Sequence, residues 1–243
     1  MMKTVALVQA RMTSSRLPGK VLMELSGRSV LSNVIRRVKR ARFVDEVMVA
    51  TTVSESDDPI VEEAQTEMVG VFRGSEQDVL GRYYDAARGV EAEIIVRITA
   101  DCPLIEPVLI DDVILAYQRE LPDYASNTLV RTYPRGLDVE VLSFTTLEQA
   151  WKDAREPWQR AHVTPYVYGH PEMFRLLSVH ADENYSRYRW TLDTADDYQF
   201  LCALGSRLEI DDCSWRDIIA LLEREPELCL INATSRQKKL QEE

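Results

Sequence analysis

Apolar residues follow two alternating periods along the first hundred positions. Runs at 4–8, 47–51, 70–72 and 94–98 are nearly continuous in hydrophobic side chains, and they predict short strands buried on both faces. Between them apolar residues fall three and four apart, as in Val30, Leu31, Val34, Ile35 and Val38. That spacing predicts amphipathic helices over 30–41, 58–68 and 78–88. Short apolar strands separated by such helices imply βαβ units, and hence an α/β fold with a doubly wound, mostly parallel sheet.

The second half is less regular. "RGLDVEVLSF" alternates as a strand, with Leu137, Val139 and Val141 on one face and Asp138 and Glu140 on the other. "SRYRWTLDTADDYQFLCAL" predicts a strand, a loop and a helix. The stretch 126–179 is rich in Tyr, Trp and Leu but too broken to form a core of its own, so it is expected to be a β-rich or irregular insertion in one domain spanning 1–243. The tail "SRQKKLQEE" is expected to fray.

Composition narrows the function classes. A net charge of -11 over 243 residues argues against a protein whose main task is holding nucleic acid, which needs a basic face. One local exception runs from Gly27 to Arg42, with six basic residues, among them Arg36, Arg37, Lys39, Arg40 and Arg42, and no acid. It reads either as a solvated helix face or as a binding face. The apolar run in "MMKTVALVQAR" is shorter than the roughly 7 to 15 residues of a secretory core, and no segment approaches the roughly 18 of a membrane span. A soluble, cytoplasmic protein is expected. Cys102, Cys202, Cys213 and Cys229 are far apart without a C-x-x-C pair, so neither zinc nor a disulfide framework is indicated.

Doubly wound sheets bind ligands at the carboxyl ends of their strands, which singles out the loops after Val8, Thr51, Phe72 and Ile98. The first, "VQARMTSSRLPGK", carries Arg11, Arg16 and Lys20 with Thr13, Ser14 and Ser15 and a Pro-Gly turn. Guanidinium forks, a mobile ammonium, hydroxyls and turn amides suit a polyphosphate, although the loop matches neither a P-loop nor a dinucleotide fingerprint. Asp101 lies just past the strand 94–98, suited to a metal or to capping the helix that starts near Pro107. Asp193 precedes the capping-box-like Thr194 and Asp197; Asp196 and Asp197 fit a first helical turn, whereas Asp193 does not. Mg²⁺ takes one or two carboxylates with phosphates and waters, so Asp101 and Asp193 suffice as a pair. Bare, the two would repel. Arg73 ends the strand at 70–72; Asp138 and Glu140, with Arg135 nearby, could face sugar hydroxyls and a carboxylate or simply solvent. His162 is a lone histidine, structural or positioning.

The pattern A-R-x-x-S-x-R-L-P-G-K, standing as Ala10, Arg11, Ser14, Arg16, Leu17, Pro18, Gly19 and Lys20, resembles the signature loop of cytidylyltransferases that activate sugar acids such as N-acylneuraminate or 3-deoxy-manno-octulosonate. The form "VQARMTSSRLPGKVL" is most similar to the branch described as spore coat polysaccharide biosynthesis protein F. "VATT", "FRGSEQDVLGRY", "VRITADCPLI", "RGLDVEVLS", "RAHVTPYVY" and "WTLDTADD" extend the resemblance, in order, over most of the chain. Two positions depart: Gln9 stands where the I-P-A-R form has proline, and Val21 where sialic-acid enzymes have asparagine.

The resemblance implies a nucleotide-diphospho-sugar transferase-like fold and transfer of CMP from CTP to a sugar acid, with release of pyrophosphate, for surface polysaccharide or glycan biosynthesis. It implies nucleotide contacts from Ala10, Arg11, Ser14, Arg16, Lys20, Arg73 and Asp101, with Arg11, Lys20 and Asp101 catalytic. Mg²⁺ would be held by Asp101 and Asp193, and the sugar by Arg135, Asp138, Glu140 and His162. A homodimer through 126–179 is also implied. Three rivals stand beside this: a glycosyltransferase using a nucleotide-sugar donor, although "TADCP" is not its D-x-D; a non-catalytic nucleotide-binding module; and a nucleic-acid binder using 36–42.

Overall fold

Strands buried on both faces divide their side chains between two cores, and β1 (Thr4–Gln9) does so in strict alternation: Ala6 and Val8 enter one, Val5 and Leu7 the other. The computed structural model describes residues 2–237. After β1 the chain forms a small antiparallel hairpin, β2 (Glu24–Leu25) and β3 (Arg28–Ser29), then α1 (Val30–Lys39). It continues through β4 (Glu46–Thr52), α2 (Asp58–Thr66), β5 (Gly70–Gly74), α3 (Val79–Gly89), β6 (Ile94–Thr99) and α4 (Pro107–Glu120). The second half adds β7 (Tyr124–Ser126), β8 (Glu140–Ser143), α5 (Phe144–Asp153), α6 (Pro157–His162), α7 (Pro165–Tyr168), β9 (Leu176–Ser178), α8 (Ala195–Gly205) and α9 (Trp215–Arg224).

The large sheet runs β5-β4-β1-β6-β8-β7-β9. β5, β4, β1 and β6 are mutually parallel, whereas β8 is antiparallel to both β6 and β7. The register pairs Val8 with Val49 and Ile98, so the loops after β1 and β6 emerge side by side. The doubly wound expectation therefore stands. Apolar residues of α1, α4, α8 and α9 fill one core and those of α3 and α5 the other.

The segment 126–179 departs from its expected irregularity. It contributes α5, α6 and α7; Leu147, Ala150 and Val167 of α5 and α7, with Val163 just after α6, join the second core, and Trp151 stacks on Tyr84 with ring centroids 4.2 Å apart. α6 and α7 are too short to show a sustained period. The expected strand at 137–143 is shortened to β8, because the Asn127 side chain takes over the backbone of 137–139: its amide donates to the Leu137 carbonyl at 2.7 Å and its carbonyl accepts from Val139 N–H at 2.9 Å. The expected strand before 194 is a single bridge between Arg135 and Arg189. Beside it Gly136 has φ +102°, and a Cβ there would lie 2.7 Å from the Trp190 carbonyl carbon.

The basic run has a structural use. Arg37 is buried and donates to the carbonyls of Ile105, Ile210 and Cys213, with Glu106 3.6 Å away. Arg36 pairs with Glu67 and Arg40 with Asp212. Cys102 and Cys213 are buried and Cys202 is exposed; none of the four is in a disulfide. Most of the tail 235–243 lies outside the described residues, but Ser235 bonds to Thr194 at 2.8 Å.

Candidate active site

A cleft of about 820 Å³ opens at the carboxyl ends of β1 and β6. The β1 loop forms one wall. Its fold is set by Met12, whose carbonyl accepts from Ser14 and Gly19, and by the left-handed Gly19 at φ 72°, a conformation that glycine adopts without a Cβ penalty. Asp57 anchors the loop from below: it accepts from Met12 N–H at 2.9 Å and from Thr51 and Thr52 hydroxyls. Burial would raise the Asp57 carboxyl, but these hydrogen bonds hold it below its ordinary value.

Lys20 follows Gly19 directly and is 8% exposed. Its ammonium donates to Asp101 Oδ2 at 2.7 Å, to the Leu192 carbonyl at 2.7 Å and to Asp193 Oδ1 at 2.8 Å. An ammonium has three protons, so all are used. Burial pulls the Lys20 ammonium toward a lower pKa, yet Asp101 and Asp193 outweigh it and the net shift is upward. Asp101 is pushed up by burial and pulled down by Lys20 together with hydrogen bonds from Thr99 and Cys102, ending below its ordinary value. The expected repulsion between two bare carboxylates does not arise, because a cation lies between them.

Asp101 is free of capping duty: α4 is capped by Glu106, which also accepts from Trp215 N–H at 2.8 Å. Asp193 Oδ2 faces Arg16 at 3.1 Å and Arg189 at 2.9 Å. Asp197 forms the expected capping box with Thr194 and also binds Arg189.

The structure brings Ala10, Arg11, Ser14, Arg16, Lys20, Asp101, Arg135, Asp138, His162 and Asp193 to this one cleft. Two expected residues are elsewhere. Arg73 does not line it; its guanidinium donates to Thr52 O at 2.8 Å, Ser54 O at 2.6 Å and Asp58 at 2.6 Å, fastening β5 to the loop after β4. Glu140 is buried behind the wall, bonded to Arg97, to Tyr124 hydroxyl at 2.7 Å and to Thr164 hydroxyl at 2.5 Å. Neither lines the cleft. Period-two alternation put Glu140 beside Asp138, but the strand begins only at 140 and Asp138 precedes it, chelated by Arg131 at 2.6 and 2.8 Å.

Sequence reasoning missed Asp57, Arg82, Arg97 and Arg189. Arg97 interrupts an otherwise apolar strand, and Arg189 sits four residues before Asp193 and eight before Asp197, so both carried a detectable signal. Arg82 gave none; it is 2% exposed and lines the cleft, and burial lowers its pKa with Arg11 adding to the effect. Among the described residues no group of three or more His, Cys, Asp or Glu side chains could hold a metal.

A family model described as cytidylyltransferase matches residues 5–239. The chain is 34% identical over 229 residues to the spore coat polysaccharide biosynthesis protein SpsF of Bacillus subtilis, covering 91% of this chain and 94% of that one. It is 35% identical over 151 residues to the 3-deoxy-manno-octulosonate cytidylyltransferase of Geobacter sulfurreducens, covering 60% and 58%. The solved structure of a cytidylyltransferase from Leptospira borgpetersenii superposes with a TM-score of 0.90 at 33% identity, covering 98% of this chain and 100% of that one.

Proposed function

The chain belongs to the cytidylyltransferase family, and on that premise we propose that it transfers CMP from CTP to a sugar acid, releasing pyrophosphate, in polysaccharide or glycan biosynthesis. The observation that carries this reading is the convergence of the β1-loop cations Arg11, Arg16 and Lys20 with the carboxylates of Asp101 and Asp193 on one cleft. The relative named as a 3-deoxy-manno-octulosonate cytidylyltransferase supports a sugar-acid acceptor, and the one named for spore coat polysaccharide biosynthesis supports a polysaccharide product.

In the reaction a sugar hydroxyl oxygen bonds to the α-phosphorus as the bond to the β-phosphate oxygen breaks. The protein performs no covalent step, so its contribution is alignment and neutralisation of phosphate charge. Arg11, Ser14, Arg16 and Lys20 hold the triphosphate, each charged hydrogen bond contributing roughly 1.5 to 3 kcal/mol. Asp138, Arg135 and His162 face the sugar side; Arg135 forms no ion pair among the described residues and suits the acceptor's carboxylate.

Asp101, Asp193 and the Leu192 carbonyl already converge on a single cation, Lys20, and oxygen donors of this kind fit a hard divalent ion such as Mg²⁺. Bound there, Mg²⁺ would offset charge on the phosphates. The enzyme is further proposed to act as a cytoplasmic homodimer through 126–179, where Val130 and Met173 are exposed; a monomer by light scattering at micromolar concentration would contradict this. The activity is tested by incubating the protein with each nucleoside triphosphate, Mg²⁺ and a panel of sugar acids. CTP-dependent pyrophosphate with a CMP-sugar is expected, and nucleotide binding without product would leave only a binding module.

A further inference from the structure

Lys20 cannot do two things at once. All three of its protons point at Asp101, Leu192 and Asp193, leaving none for a phosphate. The hydrogen-bonded cluster is also electrically complete: Lys20, Arg16 and Arg189 face Asp101, Asp193 and Asp197, three cations against three carboxylates. A bare divalent cation entering this cluster would meet an ammonium in its place and would leave a buried excess of positive charge, which is costly. A metal–triphosphate complex is anionic. It brings the ion for the carboxylates and, in the same step, phosphate oxygens for the displaced ammonium.

Resting on the cytidylyltransferase reading of this cleft, we infer that Lys20 is a resident counter-cation that keeps free divalent metal off Asp101 and Asp193 and yields its place only to the metal–nucleotide complex. The substrate is thus the preformed complex, and the two carboxylates are screened until it arrives. Gly19 sits at the hinge of this exchange, immediately before the lysine and in the left-handed region.

The test is a Mn²⁺ titration followed by the spin-resonance signal of the free ion, with and without CTP and with no acceptor sugar present. After subtraction of the Mn²⁺ that CTP holds in a protein-free titration, wild type should bind Mn²⁺ about tenfold or more tightly with CTP than alone, and Lys20→Met should bind Mn²⁺ alone about tenfold more tightly than wild type does. Equal Mn²⁺ affinity of wild type with and without CTP, no Mn²⁺ binding even with CTP, or an unchanged affinity in a folded Lys20→Met would overturn the inference. Should that variant not fold, the two wild-type titrations decide alone. Absence of a CMP-sugar in the activity panel would instead remove the functional reading, whatever the metal affinities.

Discussion

The backbone N–H of Leu192 donates to the carbonyl of Asp101 at 2.8 Å, tying the end of β6 to the segment that carries Asp193. Main chain, not side-chain chance, therefore holds the two carboxylates on one point. Asp101→Asn and Asp193→Asn should remain folded and lose cytidylyl transfer. Because each removes half of the compensation around buried Lys20, each should also destabilise by about 1 to 3 kcal/mol. Paired denaturation and turnover measurements check this; normal turnover would move the chemistry elsewhere.

The same cluster fixes a pH dependence. Asp101 titrates below its ordinary value when folded, so its contribution is complete above the unfolded value of about 3.9 and is lost as the pH falls through the folded one. Lys20 titrates above its ordinary value, so its contribution is complete below about 10.4 and is lost as the pH rises through the folded value. The stability gap between wild type and Asp101→Asn should hence be flat at neutral pH and close on the acid side, as read from urea midpoints at each pH.

Arg37 and Arg36 are adjacent in sequence and opposite in consequence. Arg37→Ala should cost about 3 kcal/mol or more, because it strips donors from three buried carbonyls and leaves Glu106 without its nearby cation. Arg36→Ala, which removes an exposed guanidinium 3.6 Å from Glu67, should change stability by less than about 1 kcal/mol. Chemical denaturation distinguishes them, and near-equal effects would contradict the assignment.

Gly136→Ala should destabilise by roughly 1 to 3 kcal/mol, since it places a Cβ against the Trp190 backbone at a φ that side chains avoid. Asp138 is two residues on, and its place in the cleft depends on this turn, so the sugar KM should rise in the same variant.

The parallel half of the fold was legible because β1 and β4 are near-continuous apolar runs, β6 is one broken only by Arg97, and α1 shows a clean helical stripe. The region 126–179 was not, because α6 and α7 are short and its backbone bonds run through side chains such as Asn127. At the site, Lys20, Asp101 and Asp193 could be named from strand-end position and from the failure of capping to explain two of them. That Lys20 stands between the carboxylates is a tertiary fact with no sequence signature, as is the diversion of Arg73 and Glu140 into structural bonds.

The central claim is cytidylyl transfer, and the most direct measurement follows the label from CTP carrying radioactive phosphorus at either the α or the γ position, with Mg²⁺ and 3-deoxy-manno-octulosonate or an N-acylneuraminate among the acceptors. The α label should appear on the sugar as a CMP-sugar and the γ label in pyrophosphate. Transfer of the γ label to the acceptor, or no labelled sugar with any acid of the panel, would contradict the account.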